Sequence, residues 1–324
     1  MVLAMQFSAV GGPEMLKPVE IKLPRLQAGE VRIRHTAIGV NFIDIYHRSG
    51  LYPTKLPTIP GSEAVGIIEE VGEGVTTLTP GMRVAYARGP MGSYIEERPI
   101  AAGHCVVVPD GVSDVIAASA MLKGLTAWYL LRETFPVRKG DTILVHAAAG
   151  GVGLILCQWA KHLGARVLGT VGSEAKGVAA KQAGCDEIIL YRDEDVAKRV
   201  RELTGGKGVP VVYDAVGKTT FTASLDSLEP RGMLVSFGQA SGPIPPFEIG
   251  ELAKRGSLFL TRPSLKDYIA EDATYQRAAK ELFAMIENKH LKLQVQLRYA
   301  LSDAAAAHKA IEARETSGST VLIP

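Results

Sequence analysis

The first hundred residues alternate short stretches rich in valine and isoleucine with turns that contain glycine or proline, a pattern typical of β-strands joined by tight turns. One helix-like stretch, Phe42–Arg48, interrupts them. The pattern predicts an antiparallel, barrel-like domain. Its predicted strands are Met5–Val10, Val31–Val40, Ala64–Val71, Arg83–Ala87 and Cys105–Val108.

The pattern changes near Val112. A long apolar stretch, Val115–Arg132, predicts a helix, and strands then alternate with helical segments such as Val152–Leu163 and Val196–Leu203. This alternation predicts a doubly wound parallel sheet of the α/β class, as in Rossmann domains. Its six predicted strands are Thr142–Ala147, Arg166–Val171, Glu187–Tyr191, Val209–Tyr213, Met233–Phe237 and Ser257–Thr261.

The alternation ends after Arg262. The last part of the chain predicts a helix, a strand, a second helix and a final strand, which is too little for a domain of its own. We expect it to return to the first domain. The predicted organisation is a first domain over 1–123, a dinucleotide-binding domain over 124–262 and a returning segment over 263–324.

Composition narrows the possible partners. The 324 residues carry 36 basic and 34 acidic side chains, and this near-neutral balance favours neither nucleic acid nor anionic lipid as a main ligand. Glycines and His146 break the longest apolar stretch, so we expect no transmembrane helix. The three cysteines stand far apart, which argues against a disulfide framework or a cysteine-built zinc site and favours a reduced, cytoplasmic protein.

The most informative segment is the strand–turn–helix sequence from Thr142 to Gly153 and beyond. Its tiny residues include Ala149, Gly150, Gly151 and Gly153, with Val152 between the last two. Gly150 and Gly153 match the second and third glycines of G-x-G-x-x-G. Gly150 would let the backbone approach a pyrophosphate, and Gly153 would let helix and strand pack closely. Since free N–H groups at a helix start bind phosphate, the segment predicts a dinucleotide site.

The next strand indicates which dinucleotide is bound. Sites that prefer NAD carry an acidic residue about 20 residues after the glycines, at the strand tip. Here the tip carries Gly172 and Ser173, with Lys176 close by. A hydroxyl and a cation suit a 2′-phosphate, so we predict NADPH. Glu174 fits the first turn of the following helix, where a carboxylate is favourable.

Several segments together resemble the zinc-free quinone oxidoreductases of the medium-chain dehydrogenase/reductase superfamily. They are Gly39–Asp44, Pro60–Gly66, Gly124–Ala127, Ala147–Gly153 and Thr261–Ser264. The resemblance runs from the first strand to the end of the chain. It implies a GroES-like barrel for the first domain, a Rossmann domain for the second, and an active site in the cleft between them.

The resemblance also implies cofactor contacts. Lys176, Tyr191 and Arg314 match the family's contacts to the 2′-phosphate. Positions that match residues lining the cofactor are Asn41, Phe42, Thr126, Gly172, Ser173, Phe237, Gly238, Arg262 and Ser264.

The resemblance also implies that no metal is used. Zinc-dependent members place cysteine where this chain has Asn41 and histidine where it has Ser62, and Cys105 stands alone where they carry a four-cysteine lobe. A catalytic zinc needs three protein ligands. We therefore expect a metal-free reaction, which suits an electron-poor acceptor such as a quinone.

Asn41, Tyr46 and Tyr52 are the candidate catalytic residues. Asn41 could hydrogen-bond the cofactor ribose or the substrate, and the tyrosines could orient the acceptor, donate a proton, or line the pocket. We expect Glu63 to brace this region.

Alternatives remain open for the function. The same site would suit an enone or alkenal reductase, and some relatives are lens proteins or bind RNA. A short-chain dehydrogenase is disfavoured because no tyrosine has a lysine four residues later. We also predict a homodimer, because the strand Ser257–Thr261 would be a sheet edge that relatives pair between subunits.

Overall fold

The computed structural model describes residues 1–313 and 318–324, in two compact units. Unit 1 comprises Met1–Leu125 and Ile269–Pro324, and unit 2 comprises Thr126–Tyr268. The predicted divisions stand at 123/124 and 262/263.

The amino-terminal part of unit 1 holds seven strands and one short helix. A two-stranded antiparallel sheet pairs β1 (Val2–Gln6) with β2 (Lys17–Ile21). The others, in chain order, are β3 (Glu30–Val40), α1 (Phe42–Arg48), β4 (Ala64–Val71), β5 (Arg83–Tyr86), β6 (Glu97–Ala101) and β7 (Val106–Val107). Short 3-10 helices cover Pro13–Met15 and Ala102–His104.

The helix α2 (Asp114–Tyr129) follows, and its last turn widens into a π-helix over Leu130–Thr134. The predicted helix Val115–Arg132 covers nearly the same residues. Inside unit 2 the hydroxyl of Tyr213 donates to the carbonyl of Leu130 at 3.1 Å, which ties the widened turn to the parallel sheet.

Unit 2 contains a six-stranded sheet whose neighbouring strands are all parallel. Its strands are β8 (Thr142–Val145), β9 (Arg166–Val171), β10 (Glu187–Leu190), β11 (Val209–Asp214), β12 (Leu228–Ser236) and β13 (Phe259–Thr261). Their order is β10-β9-β8-β11-β12-β13, which confirms the predicted doubly wound sheet. Between them run α3 (Gly151–His162), α4 (Glu174–Gln182), α5 (Val196–Leu203), α6 (Phe221–Asp226) and α7 (Gly250–Lys254).

The remaining elements are α8 (Leu265–Tyr268), α9 (Asp272–Glu287), β14 (Val295–Ala300), a 3-10 turn over Leu301–Asp303, α10 (Ala304–Glu312) and β15 (Ser319–Ile323). From α9 onward they belong to unit 1, where β14 and β15 extend a seven-stranded sheet in the order β14-β15-β3-β4-β5-β7. The strand β6 pairs with β3.

Each unit has its own apolar core. In unit 1, side chains such as Ile33, Ile38 and Ile68 pack together from β3 and β4. In unit 2, Leu144, Leu168 and Val212 line the inner strands. The strands β8, β9 and β11 lie at the centre of the sheet, where both faces are covered, so they read as continuous apolar runs.

Strand ends account for most differences from the sequence prediction. The first strand, for example, ends at Gln6 rather than Val10. The sequence prediction missed β2 and β6, because Pro18 and Pro99 lie inside them and proline usually marks a break. Both strands are short, and apart from the buried Ile100 their side chains are exposed or half-buried.

Candidate functional site

The glycine-rich turn joins β8 to α3 at the carboxyl edge of the parallel sheet. Gly150 is the N-cap of α3, in extended conformation, and its N–H donates to the carbonyl of Ala147 at 2.8 Å. A Cβ on Gly153 would lie 2.3 Å from the carbonyl oxygen of Ala147, so this residue must be glycine for the helix to pack against the turn. On Gly150 the same carbonyl would be 3.1 Å from a Cβ, a tight contact that a small shift of the turn could relieve.

The first turn of α3 provides backbone N–H donors at this edge of the sheet. The N–H groups of Gly151 and Val152 belong to a helix start, where intrahelical acceptors are lacking and the helix dipole is positive. Ala149 is buried just before them. An anionic pyrophosphate is the kind of ligand that such a turn binds.

The ends of β9 and β10 bring the predicted 2′-phosphate residues together. Tyr191 follows β10, and its N–H donates to the carbonyl of Val171 at 3.2 Å. A Cβ on Gly172 would lie 2.6 Å from the hydroxyl oxygen of Tyr191, so the phenol lies directly over the end of β9. Ser173 is the N-cap of α4 with an exposed side chain, and Lys176 lies in the first turn of that helix.

The remaining predicted cofactor residues of unit 2 follow β12 and β13. The N–H groups of Phe237 and Gly238 donate to the carbonyl of Asp214, at 2.9 and 3.2 Å. Arg262 donates to the carbonyl of Ser236 at 2.9 Å, and Ser264 follows two residues later. These residues therefore share the carboxyl edge of the sheet with the glycine-rich turn, as parallel strands require.

Four buried side chains next to that edge are joined in a hydrogen-bonded series. The carboxylate of Asp214 accepts a hydrogen bond from the hydroxyl of Ser224 at 2.9 Å, so His146 Nε2, 3.0 Å from that hydroxyl, must donate to it. His146 Nδ1 then accepts from the hydroxyl of Thr170 at 2.9 Å. Burial lowers the pKa of His146, although the charge of Asp214 acts in the opposite direction. The chain links β8, β9, β11 and α6 at the base of the turn.

In unit 1, Asn41 lies at the start of α1 with its side chain buried. Its Nδ2 donates to Glu63 Oε1 at 2.7 Å, and its backbone N–H donates to Asp44 Oδ2 at 2.9 Å. The spacing Asn41-x-x-Asp44 is that of a capping box, which starts the helix. Both the backbone and the amide of Asn41 are therefore held by buried carboxylates.

Glu63 is fully buried and has three partners. Besides Asn41, it accepts from the N–H of Leu122 at 2.7 Å and lies 3.4 Å from Lys123 Nζ, which also donates to the carbonyl of Val40 at 3.2 Å. A Cβ on Gly39 would collide with the Glu63 carboxylate at 2.2 Å, so the glycine makes room for it. Glu63 thus braces Asn41, and Lys123 neutralises a charge that burial would otherwise make costly.

Tyr46 and Tyr52 lie side by side. Their ring centroids are 5.2 Å apart in an edge-on arrangement, and the Tyr52 N–H donates to the carbonyl of Tyr46 at 2.9 Å. Phe42 joins them, with its ring 6.0 Å from that of Tyr46. Both tyrosines are half-buried, so part of each side chain is accessible.

A second carboxylate, Asp44, anchors another buried group of polar residues in unit 1. Ser62 Oγ lies 3.1 Å from Asp44 Oδ1, and the hydroxyl of Tyr94 lies 3.2 Å from Asp44 Oδ2 and 2.9 Å from His308 Nε2. The sequence reasoning missed Asp44, Tyr94, His308 and Lys123. The capping-box spacing could have indicated Asp44, but the other three come from distant parts of the chain.

Thr126 and Arg314 are the remaining predicted cofactor residues. Thr126 is buried near the end of α2, in unit 2. Arg314 lies outside the described residues, so its predicted contact with a 2′-phosphate stays a prediction. Within 1–313 and 318–324, no group of three or more histidine, cysteine, aspartate or glutamate side chains is placed to hold a metal ion. No helix in these ranges is long and apolar enough to cross a membrane.

Comparison with known proteins identifies both halves of the chain. Residues 27–134 match the family model of the alcohol dehydrogenase GroES-like domain, and residues 151–284 match that of zinc-binding dehydrogenases. A quinone oxidoreductase of Pseudomonas aeruginosa is 51% identical, with all of both chains covered. A 2-haloacrylate reductase of a Burkholderia species is 46% identical, covering 100% of this chain and 99% of the relative.

Solved structures give the same picture. The crystal structure of Escherichia coli quinone oxidoreductase complexed with NADPH superposes with a TM-score of 0.98 at 46% identity. The match covers 99% of this chain and 100% of that one.

Proposed function

Because this chain belongs to the quinone oxidoreductases of the medium-chain dehydrogenase/reductase superfamily, we propose that it reduces quinones with NADPH and without zinc. It is an oxidoreductase, and its fold is the GroES-like and Rossmann combination of that family. The observation that supports NADPH most directly is the group formed by Gly172, Ser173, Tyr191 and Lys176. In the described part of the chain, Gly172 and Ser173 stand at the end of β9, the hydroxyl of Tyr191 lies over it, and Lys176 lies in the first turn of α4.

The residues of unit 2 fit the cofactor. The start of α3 would bind the pyrophosphate, and Lys176 with Ser173 and Tyr191 would bind the 2′-phosphate. When bound, NADPH supplies a hydride. The chain's own task is to orient the cofactor and to offer the acceptor a largely apolar surface with few polar groups.

The residues of unit 1 fit an electron-poor acceptor. The edge-on pair of Tyr46 and Tyr52 offers aromatic ring contacts, and Asn41, held by Glu63, offers an amide of fixed orientation. The residues do not fit a catalytic zinc. Asn41 and Ser62 stand where zinc enzymes of the superfamily carry ligands, and both are engaged with buried carboxylates.

The Lys176→Ala variant tests the cofactor assignment. Losing a charge-assisted hydrogen bond of about 1.5–3 kcal/mol should lower kcat/KM for NADPH about 10- to 100-fold and leave the value for NADH nearly unchanged. Lys181→Ala, on the exposed last turn of the same helix, is the matched control. An equal loss with both cofactors would rule out the 2′-phosphate role.

A second candidate activity is the reduction of an activated alkene. The 46% identity to a 2-haloacrylate reductase favours it, since that substrate carries its double bond next to a carboxylate. Steady-state oxidation of NADPH against matched panels of quinones and enones decides between the two. A higher kcat/KM for the enones would replace quinones as the acceptor class.

We also propose a homodimer and a cytoplasmic location. The strand β13 is the end strand of the described parallel sheet, and Phe259 on it is 56% exposed. An unpaired edge with an exposed aromatic residue can pair with a second copy. Sedimentation as a monomer at micromolar concentration would contradict the dimer.

A further inference from the structure

Ser62 is the outer end of a hydrogen-bonded chain that runs into the core of unit 1. Its hydroxyl contacts Asp44, which contacts Tyr94, which in turn contacts His308. Asp44, Tyr94 and His308 are fully buried, whereas Ser62 is half-buried. Asp44 also accepts the backbone N–H of Asn41, so the Ser62 hydroxyl and the backbone of a predicted catalytic residue contact the same carboxyl group.

The two oxygens of Asp44 have different surroundings. Oδ2 faces two donors, the N–H of Asn41 at 2.9 Å and the hydroxyl of Tyr94 at 3.2 Å, and Oδ1 faces Ser62 Oγ at 3.1 Å. A proton held by this carboxyl group therefore belongs on Oδ1, from which it donates to Ser62. The hydroxyl of Ser62 is then left to donate its own hydrogen elsewhere.

Burial and the nearby charge of Glu63 raise the pKa of Asp44 to about 7, against the hydrogen bonds from Asn41, Ser62 and Tyr94. Burial and the charge of Arg48 lower the pKa of His308 to about 3.

The other groups that act on Asp44 and His308 are Tyr94, Glu63 and Arg48. Burial and the charge of Asp44 raise the pKa of Tyr94 well above its usual range. Arg48 is paired with Glu312 at 2.5 Å, and Glu63 is paired with Lys123 at 3.4 Å. Among Asp44, Tyr94 and His308, Asp44 is therefore the group that exchanges a proton near pH 7.

We propose that Ser62 is a catalytic residue that passes a proton from Asp44 to an oxygen of the bound acceptor. This inference rests on the proposed quinone reduction. A hydride brings two electrons and one proton, and a hydroquinone needs one proton more. The O–H bond of Ser62 breaks as the acceptor oxygen gains the hydrogen, and the Asp44 Oδ1–H bond breaks as Ser62 recovers one. Asp44 is left as a carboxylate, which takes a proton back from water through Ser62 after the product leaves.

The proposal assigns different roles to neighbouring groups. The hydroxyl of Tyr94 donates to Asp44 Oδ2, and this hydrogen bond stabilises the carboxylate that remains when Asp44 loses its proton. Asp44 and Tyr94 are then positioning residues that act through Ser62. Tyr46 and Tyr52 are left to hold the acceptor by ring contacts.

The test compares Ser62→Ala, Ser62→Thr, Asp44→Asn, Tyr46→Phe and Tyr52→Phe, with Ser8→Ala on an exposed loop as the control. Each full-length variant is assayed with NADPH and a water-soluble benzoquinone over a pH range that spans neutrality, in H2O and in D2O. NADPH binding is followed separately by fluorescence.

We expect Ser62→Ala to lower kcat about 100-fold, to remove the fall in kcat as pH rises through neutrality, and to leave NADPH binding unchanged. Ser62→Thr, which keeps a hydroxyl, should restore kcat, the pH profile and the solvent isotope effect. Asp44→Asn should lose the pH dependence; if it does not fold, the two Ser62 variants still decide.

Two results would overturn the relay. One is a Ser62→Ala variant with the wild-type kcat and pH profile, and the other is loss of the pH dependence in Tyr46→Phe or Tyr52→Phe instead. A wild-type protein that does not oxidise NADPH with any quinone would contradict the proposed function itself, so the two failures are distinguishable.

Discussion

Each unit buries a carboxylate close to its candidate site, and the two are satisfied in different ways. In unit 2, Asp214 accepts hydrogen bonds from the N–H groups of Val216 and Gly217, at 2.7 and 3.0 Å, and from the hydroxyls of Thr220 and Ser224. In unit 1, Glu63 accepts from one backbone N–H and two side chains, the amide of Asn41 and the ammonium of Lys123.

The different partners of Asp214 and Glu63 correspond to different kinds of ligand-binding surface in the two units. Asp214 holds loops in place, and the surface that we propose for the cofactor consists largely of backbone N–H groups and glycines. Glu63 holds the side chains of Asn41 and Lys123, and we propose that Asn41 contacts the acceptor. On this proposal the cofactor surface is fixed by chain geometry, while the acceptor surface depends on which side chains a few buried charges hold in place.

The largest expected effect comes from breaking the ion pair of unit 1. Lys123→Met leaves the buried Glu63 carboxylate without its cation, and removing one partner of a buried pair costs about 3–5 kcal/mol in the free energy of unfolding. Glu63→Gln should also destabilise, because the amide cannot accept every bond that the carboxylate accepts. Urea unfolding of both variants measures these losses.

The double variant Lys123→Met/Glu63→Gln is the control for this pair. It has no uncompensated charge, so its loss should be clearly smaller than the sum of the two single losses. Additive losses would mean that Lys123 and Glu63 act independently, and the contrast between the two units would then lose its electrostatic basis.

The same contrast explains what could be predicted from the sequence. The parallel sheet and the residues along its carboxyl edge follow from local rules, because a strand, a glycine-rich turn and a helix occupy consecutive positions. Gly153 and Gly172 could be predicted from the sequence in this way. The structure gives the physical reason, since a Cβ on either residue would collide with Ala147 or Tyr191, respectively. The resemblance added the positions that line the cofactor beyond this turn.

The buried polar contacts of unit 1 could not be predicted from the sequence in the same way. Glu63 meets Lys123 across 60 positions, and Tyr94 meets His308 across 214. Charged or polar residues of this kind look like surface residues in a sequence, and their burial is decided by tertiary packing. The strands β2 and β6 were missed for a related reason, since Pro18 and Pro99 are tolerated there by their places in the folded sheets.

A second prediction concerns His35, one of the buried histidines of unit 1. Burial, with a smaller effect of Arg98, lowers the pKa of His35 to about 4, although its hydrogen bond to the carbonyl of Ile95 favours protonation. The unfolded chain takes up this proton near pH 6.5 and the folded chain does not. Stability is therefore lost as pH falls from about 6.5 to about 4, and this one residue accounts for about 3 kcal/mol.

The His35→Gln variant should reduce the loss of stability in acid. Its free energy of unfolding should change less between pH 7 and pH 4 than that of the wild type, by about 3 kcal/mol. His308 and His146 keep part of the acid sensitivity, since burial lowers their pKa values too. His290→Gln, at an exposed position, is the control. Parallel pH curves for wild type and His35→Gln would refute this assignment.

The smallest effect is expected for a variant in the hydrogen-bonded series from Thr170 to Asp214, next to the glycine-rich turn. Thr170→Val keeps the shape of the side chain but removes the hydroxyl that donates to His146 Nδ1 at 2.9 Å. An unpaired buried acceptor costs about 1–3 kcal/mol, and the low end applies here because Asp214 and Ser224 still hold the other ring nitrogen. Since Thr170 also accepts the N–H of Ala148 through its backbone, which the substitution keeps, the turn should retain its shape and kcat should not change.

Thr142→Val, at the opposite end of β8, is the matched control and should cost less than about 0.5 kcal/mol in the free energy of unfolding. Equal losses in urea unfolding for the two variants would show that the hydroxyl of Thr170 does not support His146, and that backbone geometry alone holds the cofactor side of the molecule.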